Sequence, residues 1–242
     1  MQLIKLDAID STNEFLKGLS NKQNLENFTV VTAERQTKGK GQMGSVWSSE
    51  AGKNLIMSVL VKDFLFDINQ IFTLNIAISL AVIETLESIN IPDLSIKWPN
   101  DIMSYNKKIG GILIENSIKG EDTITSIVGL GLNVNQTNFE NLPKASSLAV
   151  IANTTFDKAV LLKMIIENLE LKLQQWNQFS EMFWSHYTNR LFKKGVPMPF
   201  SDQKNVNFMG IIQGVSAIGK LQVLLENDSI AEFDIKEIQM LY

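Results

Sequence analysis

Two strand-like segments of this 242-residue chain carry pairs of glycines at positions where side chains would normally pack. The first is KKIGGILIE at residues 107–115, and the second is GLGLNVN at residues 129–135. Glycine inside a strand costs stability and usually marks the close approach of a ligand or of another backbone. The pattern therefore predicts either a flat binding surface on a sheet or a crowded crossing between strands.

The apolar patterning around these segments predicts an α/β fold of the α+β type, with a mixed, mainly antiparallel sheet and packed helices. Helical spacing of apolar residues predicts a short helix capped by Ser11 and longer helices at 68–89 and 157–189. Apolar or β-branched runs predict strands at 3–9, 28–33, 55–61, 94–98, 101–104, 108–115 and 123–135.

The character of the chain changes near Leu191. From there to Tyr242, short strand-like runs alternate with glycine and proline, which is typical of a small antiparallel barrel. We therefore predict two domains, at 1–191 and 192–242.

Composition excludes several classes of function. A formal net charge of −4 lacks the basic footprint of a nucleic-acid-binding protein. With no cysteine and His186 as the single histidine, the sequence offers no thiolate metal site and no histidine cluster for zinc, and a metal held by oxygen ligands, such as Mg²⁺, is favoured. His186 lies outside every motif, and we interpret it as a packing or surface residue. No apolar run approaches the ~18 residues of a membrane span and no signal peptide is visible, so we expect a cytoplasmic protein without a membrane partner.

A long loop at 35–54 is rich in glycine, serine and lysine. It formally contains GxGxxG from Gly39 to Gly44, but the following segment is not helical, which argues against a dinucleotide-binding turn. Two interpretations remain: a loop that cradles phosphate with Lys38 and Lys40, or a solvated flexible loop. The loop by itself favours the second.

The segment KWPND at 97–101 is a strand stopped by proline that then presents Asn100 and Asp101. A carboxylate at a strand end can bind Mg²⁺ or orient a nucleophile, but the same residues also suit an ordinary turn. Lys108, at the start of the first glycine-bearing strand, could reach a carboxylate or phosphate oxygen. An exposed lysine at a hairpin tip is the commoner case.

Taken in order along the chain, five segments closely resemble the motifs of the biotin protein ligase catalytic domain. They are DSTN at 10–13, KGKGQMGSVW at 38–47, KWPND at 97–101, KKIGGILIE at 107–115 and GLGLNVN at 129–135. The resemblance runs from about Leu3 to Leu148, and the C-terminal part resembles the small SH3-like domain of the same family. It implies an ATP- and Mg²⁺-dependent enzyme that makes biotinyl-5′-AMP and transfers biotin to a lysine of a biotin carboxyl carrier protein domain.

The resemblance also implies roles for particular residues. The catalytic set is Lys108, Asp101 and Lys40. The biotin-binding set is Ser11, Thr12, Gln36, Gly39, Gly41, Lys108, Gly110, Gly111, Gly129 and Gly131. The nucleotide-binding set is Lys40, Gln42, Trp47, Asn100, Lys108 and Asn133, with Trp47 stacked on adenine. The metal ligands are not identified.

The chain departs from the usual family pattern GRGRxGxxW, because Lys40 and Gln42 stand at the two arginines. Lys40 keeps the charge but loses bidentate geometry, and Gln42 loses the charge. A non-catalytic biotin or nucleotide sensor is therefore one alternative. A lipoate protein ligase is another, although its GGG loop and nearby histidine are absent from this sequence.

The first catalytic strand is expected at Leu3, which leaves no room for an N-terminal DNA-binding domain and predicts the monofunctional form. A homodimer formed through edge strands is compatible with this fold, but no apolar stripe in the sequence requires one.

Overall fold

The computed structural model describes residues 2–65, 67, 70–119, 123–140 and 142–242. Its larger part is one seven-stranded sheet with the strand order β1-β2-β3-β7-β6-β5-β4. The strands are β1 (Leu3–Ile9), β2 (Val30–Gln36), β3 (Leu55–Val61), β4 (Leu94–Lys97), β5 (Asp101–Ser104), β6 (Lys107–Lys119) and β7 (Thr123–Leu132).

Only β1 and β2 pair in parallel, and the other neighbours in this sheet are antiparallel. The predicted mixed, mainly antiparallel sheet is confirmed. The central strand β3 is buried at every position, which explains why its sequence LIMSVLV is apolar on both faces.

The helices cover the two faces of the sheet unequally. They are α1 (Thr12–Lys22), α2 (Ile71–Ser88), α3 (Leu148–Ala152) and α4 (Lys158–Asn189). On one face, α2 and α4 pack together over the main core, which includes Leu74, Ile78 and Ile165. The other face carries α1 over a small cluster with Leu16 at its centre, where α1 contacts β2, β3 and β7.

By length and composition α2 is apolar enough to cross a membrane, but most of it is buried inside this structure. Its apolar character is accounted for by the core that it forms with the sheet and with α4.

A second sheet of five antiparallel strands follows α4, in the order β11-β10-β9-β8-β12. Its strands are β8 (Pro197–Asp202), β9 (Asn207–Val215), β10 (Leu221–Leu225), β11 (Ile230–Phe233) and β12 (Ile238–Met240). Four strands form a meander and β12 returns beside β8, which fits the small SH3-like module that the sequence predicts. The domain limit at 191/192 falls in the connection between α4 and β8, and it stays a proposal.

Several element limits differ from the predicted ones. The second strand begins at Val30 rather than Phe28, because Phe28 adopts a left-handed backbone with φ +58° that is incompatible with a strand, although its N–H donates to the Leu60 carbonyl of β3 at 2.9 Å. It continues to Gln36 because Arg35 and Gln36 pair with β1. The short helix α3 was not predicted. The predicted helix start at 68 and its next residue lie outside the described residues, and α2 begins at Ile71.

Candidate active site

A cavity of about 290 Å³ opens on the α1 face of the main sheet. The first turn of α1, the long loop after β2 and the glycine-bearing parts of β6 and β7 enclose it, and the β11–β12 connection closes one side. Residues from all five motif segments that the sequence singles out, or from their immediate neighbours, are therefore brought to one place.

The floor of the cavity is a row of residues that runs across four strands. Asp101 pairs with Gly111, Gly111 pairs with Gly131, and Gly131 pairs with Ile56. Gly129 lies two residues before Gly131 on β7 and therefore on the same face. We call Gly111, Gly129 and Gly131 the glycine floor.

A β-bulge places the key lysine on this face. Asp101 pairs with Gly111 and Met103 pairs with Lys108, so β6 has one more residue than β5 between these pairs. Strict alternation would turn Lys108 to the face opposite Gly111. The extra residue, Ile109, corrects this and brings the lysine to the side of Asp101.

Lys108 and Asp101 form an ion pair with 2.6 Å between Nζ and Oδ1. Lys97 Nζ lies 3.9 Å from the other carboxylate oxygen of Asp101. Burial lowers the pKa of Lys97, and the charge of Asp101 opposes that shift. The ring of Tyr242 closes this group from outside, with its centroid 5.3 Å from Lys97 Nζ. Burial also raises the pKa of Tyr242, and Asp101 adds to the shift.

At the other end of the cavity lies a network of polar side chains, here called the polar end. The Gln36 side-chain oxygen accepts from the Thr12 backbone N–H at 2.8 Å and from its hydroxyl at 3.1 Å. Ser58 Oγ lies 2.8 Å from Thr12 Oγ1 and 2.6 Å from Asn13 Oδ1. Asn13 in turn donates to Glu115 at 2.9 Å. These bonds fix the side chains before any ligand arrives.

Trp47 covers the glycine floor. A Cβ on Gly131 would stand 2.4 Å from ring atom Cε2, and one on Gly111 would stand 3.4 Å from Cζ3. Lys108 Nζ lies 5.7 Å from the ring centroid. The buried indole N–H has no hydrogen-bond partner among the residues that the structure describes. The absence of side chains on the glycine floor therefore leaves room for a flat group to lie against the sheet.

The loop that carries Trp47 is folded back on itself. Its residues Lys40 and Val46 form an isolated antiparallel bridge, and Lys40 Nζ pairs with Glu14 of α1 at 2.5 Å. The ion pair lowers the pKa of Glu14. Gly41, Gln42 and Trp47 all line the cavity.

Three predicted site residues do not line the cavity. Gly110 points to the opposite face, where a Cβ would meet Leu132. The buried Asn133 side chain donates to the Ser146 backbone oxygen at 3.0 Å. At Gly39 a Cβ would stand 2.3 Å from the Trp47 backbone oxygen, so this glycine permits the loop to fold back.

Asn100 does line the cavity, and it also fixes the backbone of β6. Its side chain donates to the Ile112 carbonyl, while its own carbonyl accepts from the Ile112 N–H at 3.0 Å. On the other side, Asn75 of α2 donates to the Pro99 carbonyl at 2.8 Å. The segment that presents Asp101 is therefore anchored to the core helix.

Within the described ranges, no group of three or more histidine, cysteine or carboxylate side chains could hold a metal ion. Asp101 is the acidic residue among those that line the cavity. A cation here would need most of its oxygen ligands from a bound molecule.

Sequence reasoning missed three contributors: Asn13, which lies in the DSTN segment but was given no role, Ser58 and Lys236. Ser58 is the polar residue inside the otherwise apolar run 55–61, and that irregularity was a usable signal. Lys236, from the β11–β12 connection, also lines the cavity. It lies in the second sheet, far along the chain from the motifs, and no local pattern marks it.

Comparison with known families gives one family model that matches. The model of the biotin/lipoate A/B protein ligase family matches residues 6–133, which is more than half of the chain. The matched range contains the second half of β1 and all of β2 to β7, and therefore the glycine floor, the polar end and the Lys108–Asp101 pair.

Curated relatives resemble the chain over most of its length. A bifunctional ligase/repressor BirA from Bacillus spizizenii is 29% identical over 194 residues, which cover 76% of this chain and 59% of that protein. A biotin–[acetyl-CoA-carboxylase] ligase from Mycobacterium tuberculosis is 28% identical over 195 residues, which cover 79% of this chain and 71% of that protein. The chain thus spans about three fifths of the Bacillus relative.

Among solved structures, a biotin protein ligase from Aquifex aeolicus in complex with biotin and ATP is similar over nearly the whole chain. The TM-score is 0.79 at 29% identity, and the match covers 99% of this chain and 98% of that one. A biotin protein ligase from Leishmania major with biotinyl-5-AMP has a TM-score of 0.64 at 21% identity over 97% of this chain, a likeness that concerns the fold alone.

Proposed function

Because this chain belongs to the biotin/lipoate A/B protein ligase family, we propose that it is an ATP-dependent biotin protein ligase. It forms biotinyl-5′-AMP from biotin and ATP, and it then transfers biotin to a lysine of a biotin carboxyl carrier protein domain. The observation that carries the proposal is the row Asp101–Gly111–Gly131 across the sheet, with Lys108 turned onto the same face.

The polar end suits the ureido group of biotin. That group offers two N–H donors and a carbonyl acceptor, and the polar end presents hydroxyls and amides that can serve both roles. Ser11, Thr12 and Gln36 all line the cavity there. They are already hydrogen-bonded into place, so little ordering is needed when the ligand binds.

The glycine floor suits the flat bicyclic body of biotin. A side chain on Gly129 would stand 2.4 Å from Asn13 Oδ1, and one on Gly131 would occupy the space of the Trp47 ring. We propose that biotin lies against this floor and that Trp47 moves to pack on the adenine. Because glycine has no side chain, a glycine in a strand lets a ligand approach the backbone closely.

The first chemical step joins two anions. The biotin carboxylate attacks the α-phosphorus of ATP, the bond to the β-phosphate oxygen breaks, and diphosphate leaves. In this proposal Lys108 lies between the carboxylate and the α-phosphate and balances the charge that develops there. The Mg²⁺ that accompanies ATP would be bound mainly by phosphate oxygens, and Asp101 is the carboxylate available to it.

In the second step the amine of the carrier lysine attacks the acyl carbon, an amide forms and AMP leaves. The amine must lose a proton to act as a nucleophile. In this proposal the Asp101 carboxylate positions the amine. The intermediate is a mixed anhydride that water hydrolyses, so we propose that the loop at 35–54 excludes water from it.

We further propose the cytoplasm as the location and 192–242 as a separate domain.

Biotin-dependent exchange of labelled diphosphate into ATP tests the first step. We expect exchange with biotin and Mg²⁺, and none with lipoate or without the metal. Exchange with lipoate alone would favour a lipoate ligase, and biotin binding without any exchange would favour the non-catalytic sensor. Transfer is then measured on an isolated carrier domain, with the acceptor lysine changed to arginine as the negative control.

A further inference from the structure

Three lysines line the cavity: Lys40, Lys108 and Lys236. Two of them are already paired with carboxylates, because Lys40 Nζ lies 2.5 Å from Glu14 and Lys108 Nζ lies 2.6 Å from Asp101. Among the residues that the structure describes, no carboxylate forms an ion pair with Lys236. The uncompensated positive charge at this cavity therefore comes from the C-terminal sheet and not from the motif segments.

The geometry of the second sheet places this lysine at the cavity. Lys236 lies in the short connection between β11 and β12, where the Asp234 backbone N–H donates to the Glu237 carboxylate at 2.6 Å. Lys236 itself has a left-handed backbone with φ +69°. This turn directs the side chain away from its own sheet and toward the loop at 35–54, and Ile235 beside it also lines the cavity.

The lysine is held beside the position where the loop lacks a charge. Lys236 Nζ donates to the Met43 carbonyl at 2.7 Å, and Met43 directly follows Gln42. Gln42 is the residue at which the chain departs from the arginine of the usual pattern GRGRxGxxW. An ammonium group has three donors, so the bond to Met43 leaves two for a ligand.

We propose that Lys236 is a nucleotide-binding residue that supplies to the phosphates of ATP the positive charge missing at Gln42. This inference rests on the proposed function. The phosphates of ATP are strongly anionic. They are attracted more by Lys236, which no described carboxylate neutralises, than by Lys40 and Lys108, which are paired with carboxylates. Because the side chain is exposed, the interaction is screened by salt.

The test measures Michaelis constants for ATP and for biotin in the diphosphate exchange assay, with the dissociation constant for ATP measured separately by calorimetry. We expect Lys236→Gln to raise the ATP constants about tenfold, the lower end of what one charge-assisted hydrogen bond contributes. The biotin constant should stay unchanged. Lys236→Arg should remain near the wild-type value, and the exposed lysine of the same sheet in Lys204→Gln serves as the matched control.

A compensating variant separates charge from simple support of the loop. Adding Gln42→Arg to Lys236→Gln should restore ATP binding, although an arginine at 42 cannot replace the bond from Lys236 to Met43. Unchanged ATP constants in Lys236→Gln, or a loss that Gln42→Arg fails to restore, would overturn the inference. Absence of biotin-dependent exchange in the wild type would instead remove the proposed function, and the calorimetric ATP measurement would still decide the role of Lys236.

Discussion

The indole ring of Trp47 lies directly on Gly131, so that a Cβ on this glycine would stand 2.4 Å from ring carbon Cε2. The ring therefore occupies the surface that we assign to the body of biotin. Its buried N–H has no partner in the described part of the chain, which costs free energy and favours a rearrangement once a hydrogen-bonding or stacking partner is present.

Removing the ring should affect the nucleotide more than biotin. We expect Trp47→Ala to raise the dissociation constant for ATP at least tenfold, because base–aromatic stacking contributes about 1–3 kcal/mol. The biotin constant should change by a smaller factor. Calorimetric titration of each ligand checks this, and an unchanged ATP constant would contradict the stacking role.

Adding a methyl group to the floor should block it. Gly131→Ala places a carbon inside the space of the Trp47 ring, so we expect biotin binding to weaken by at least tenfold while the protein stays folded. Gly18→Ala is the matched control, because a Cβ there meets nothing within 4 Å inside α1. That variant should gain about 0.5–1 kcal/mol of stability and keep its activity. Equal biotin binding in both variants would argue against the floor as the biotin site.

The lysine on the bulge should be indispensable for adenylate formation. We expect Lys108→Ala to abolish diphosphate exchange with the circular dichroism spectrum unchanged, because the cation between carboxylate and phosphate is lost. The neighbouring Lys107 donates to the Pro143 carbonyl and is exposed, so Lys107→Ala should keep near-normal exchange. Near-normal exchange in Lys108→Ala would remove its assignment.

The hydroxyl of Ser58 should support both stability and biotin binding. Ser58→Ala removes the hydrogen bond that Asn13 Oδ1 accepts and one of those made by Thr12 Oγ1, which should lower the free energy of unfolding by about 1–3 kcal/mol. It should also raise the biotin constant, because the polar end loses its fixed geometry. Urea denaturation and biotin titration together check the two effects, and a variant as stable as the wild type would show that water replaces the hydroxyl.

The Glu14–Lys40 pair gives a pH-dependent prediction. The pKa of Glu14 is lowered, chiefly by its hydrogen bond from Lys40, so its contribution to stability is present above pH 4.5 and is lost as the pH falls through the folded-state pKa. Both side chains are about half exposed, so the contribution should be under about 1 kcal/mol. The stability difference between wild type and Glu14→Gln should therefore vanish in acid.

At neutral pH the same substitution should release Lys40 for the nucleotide. We expect Glu14→Gln to lower the Michaelis constant for ATP by a few fold, because the lysine no longer has a competing carboxylate. The matched measurement uses Glu50→Gln, an exposed carboxylate in the same long loop. If the ATP constant rises in Glu14→Gln, the pair is needed to hold the loop in place.

The sequence predicted the elements whose signal is local. The run 55–61 is apolar throughout and became a strand with the predicted limits, since a strand buried on both faces needs no polar alternation. The sequence could not show the bulge at Ile109, because the bulge depends on the register between β5 and β6. Without the bulge, alternation would separate Lys108 from Gly111, so the motif alone misplaces the lysine.

Contacts between distant parts of the chain could not be predicted from the sequence either. Lys236 is an ordinary surface lysine in sequence, and only the packing of the second sheet against the loop at 35–54 brings it to the cavity. The three glycines of the floor, in contrast, were singled out in the sequence, which left open a flat ligand surface or a crowded crossing between strands. Gly110 belongs to the same sequence pattern but faces the core.

The row from Asp101 through Gly111 and Gly131 to Ile56 joins residues that are far apart in the chain. A slip of one residue between any two of these strands would turn half of the row to the wrong face. The cavity can therefore exist only after all four strands have found their partners. A ligand that binds in this cavity binds only the state in which all four strands are correctly paired. Such a ligand should therefore slow amide hydrogen exchange in β3, β5, β6 and β7 together.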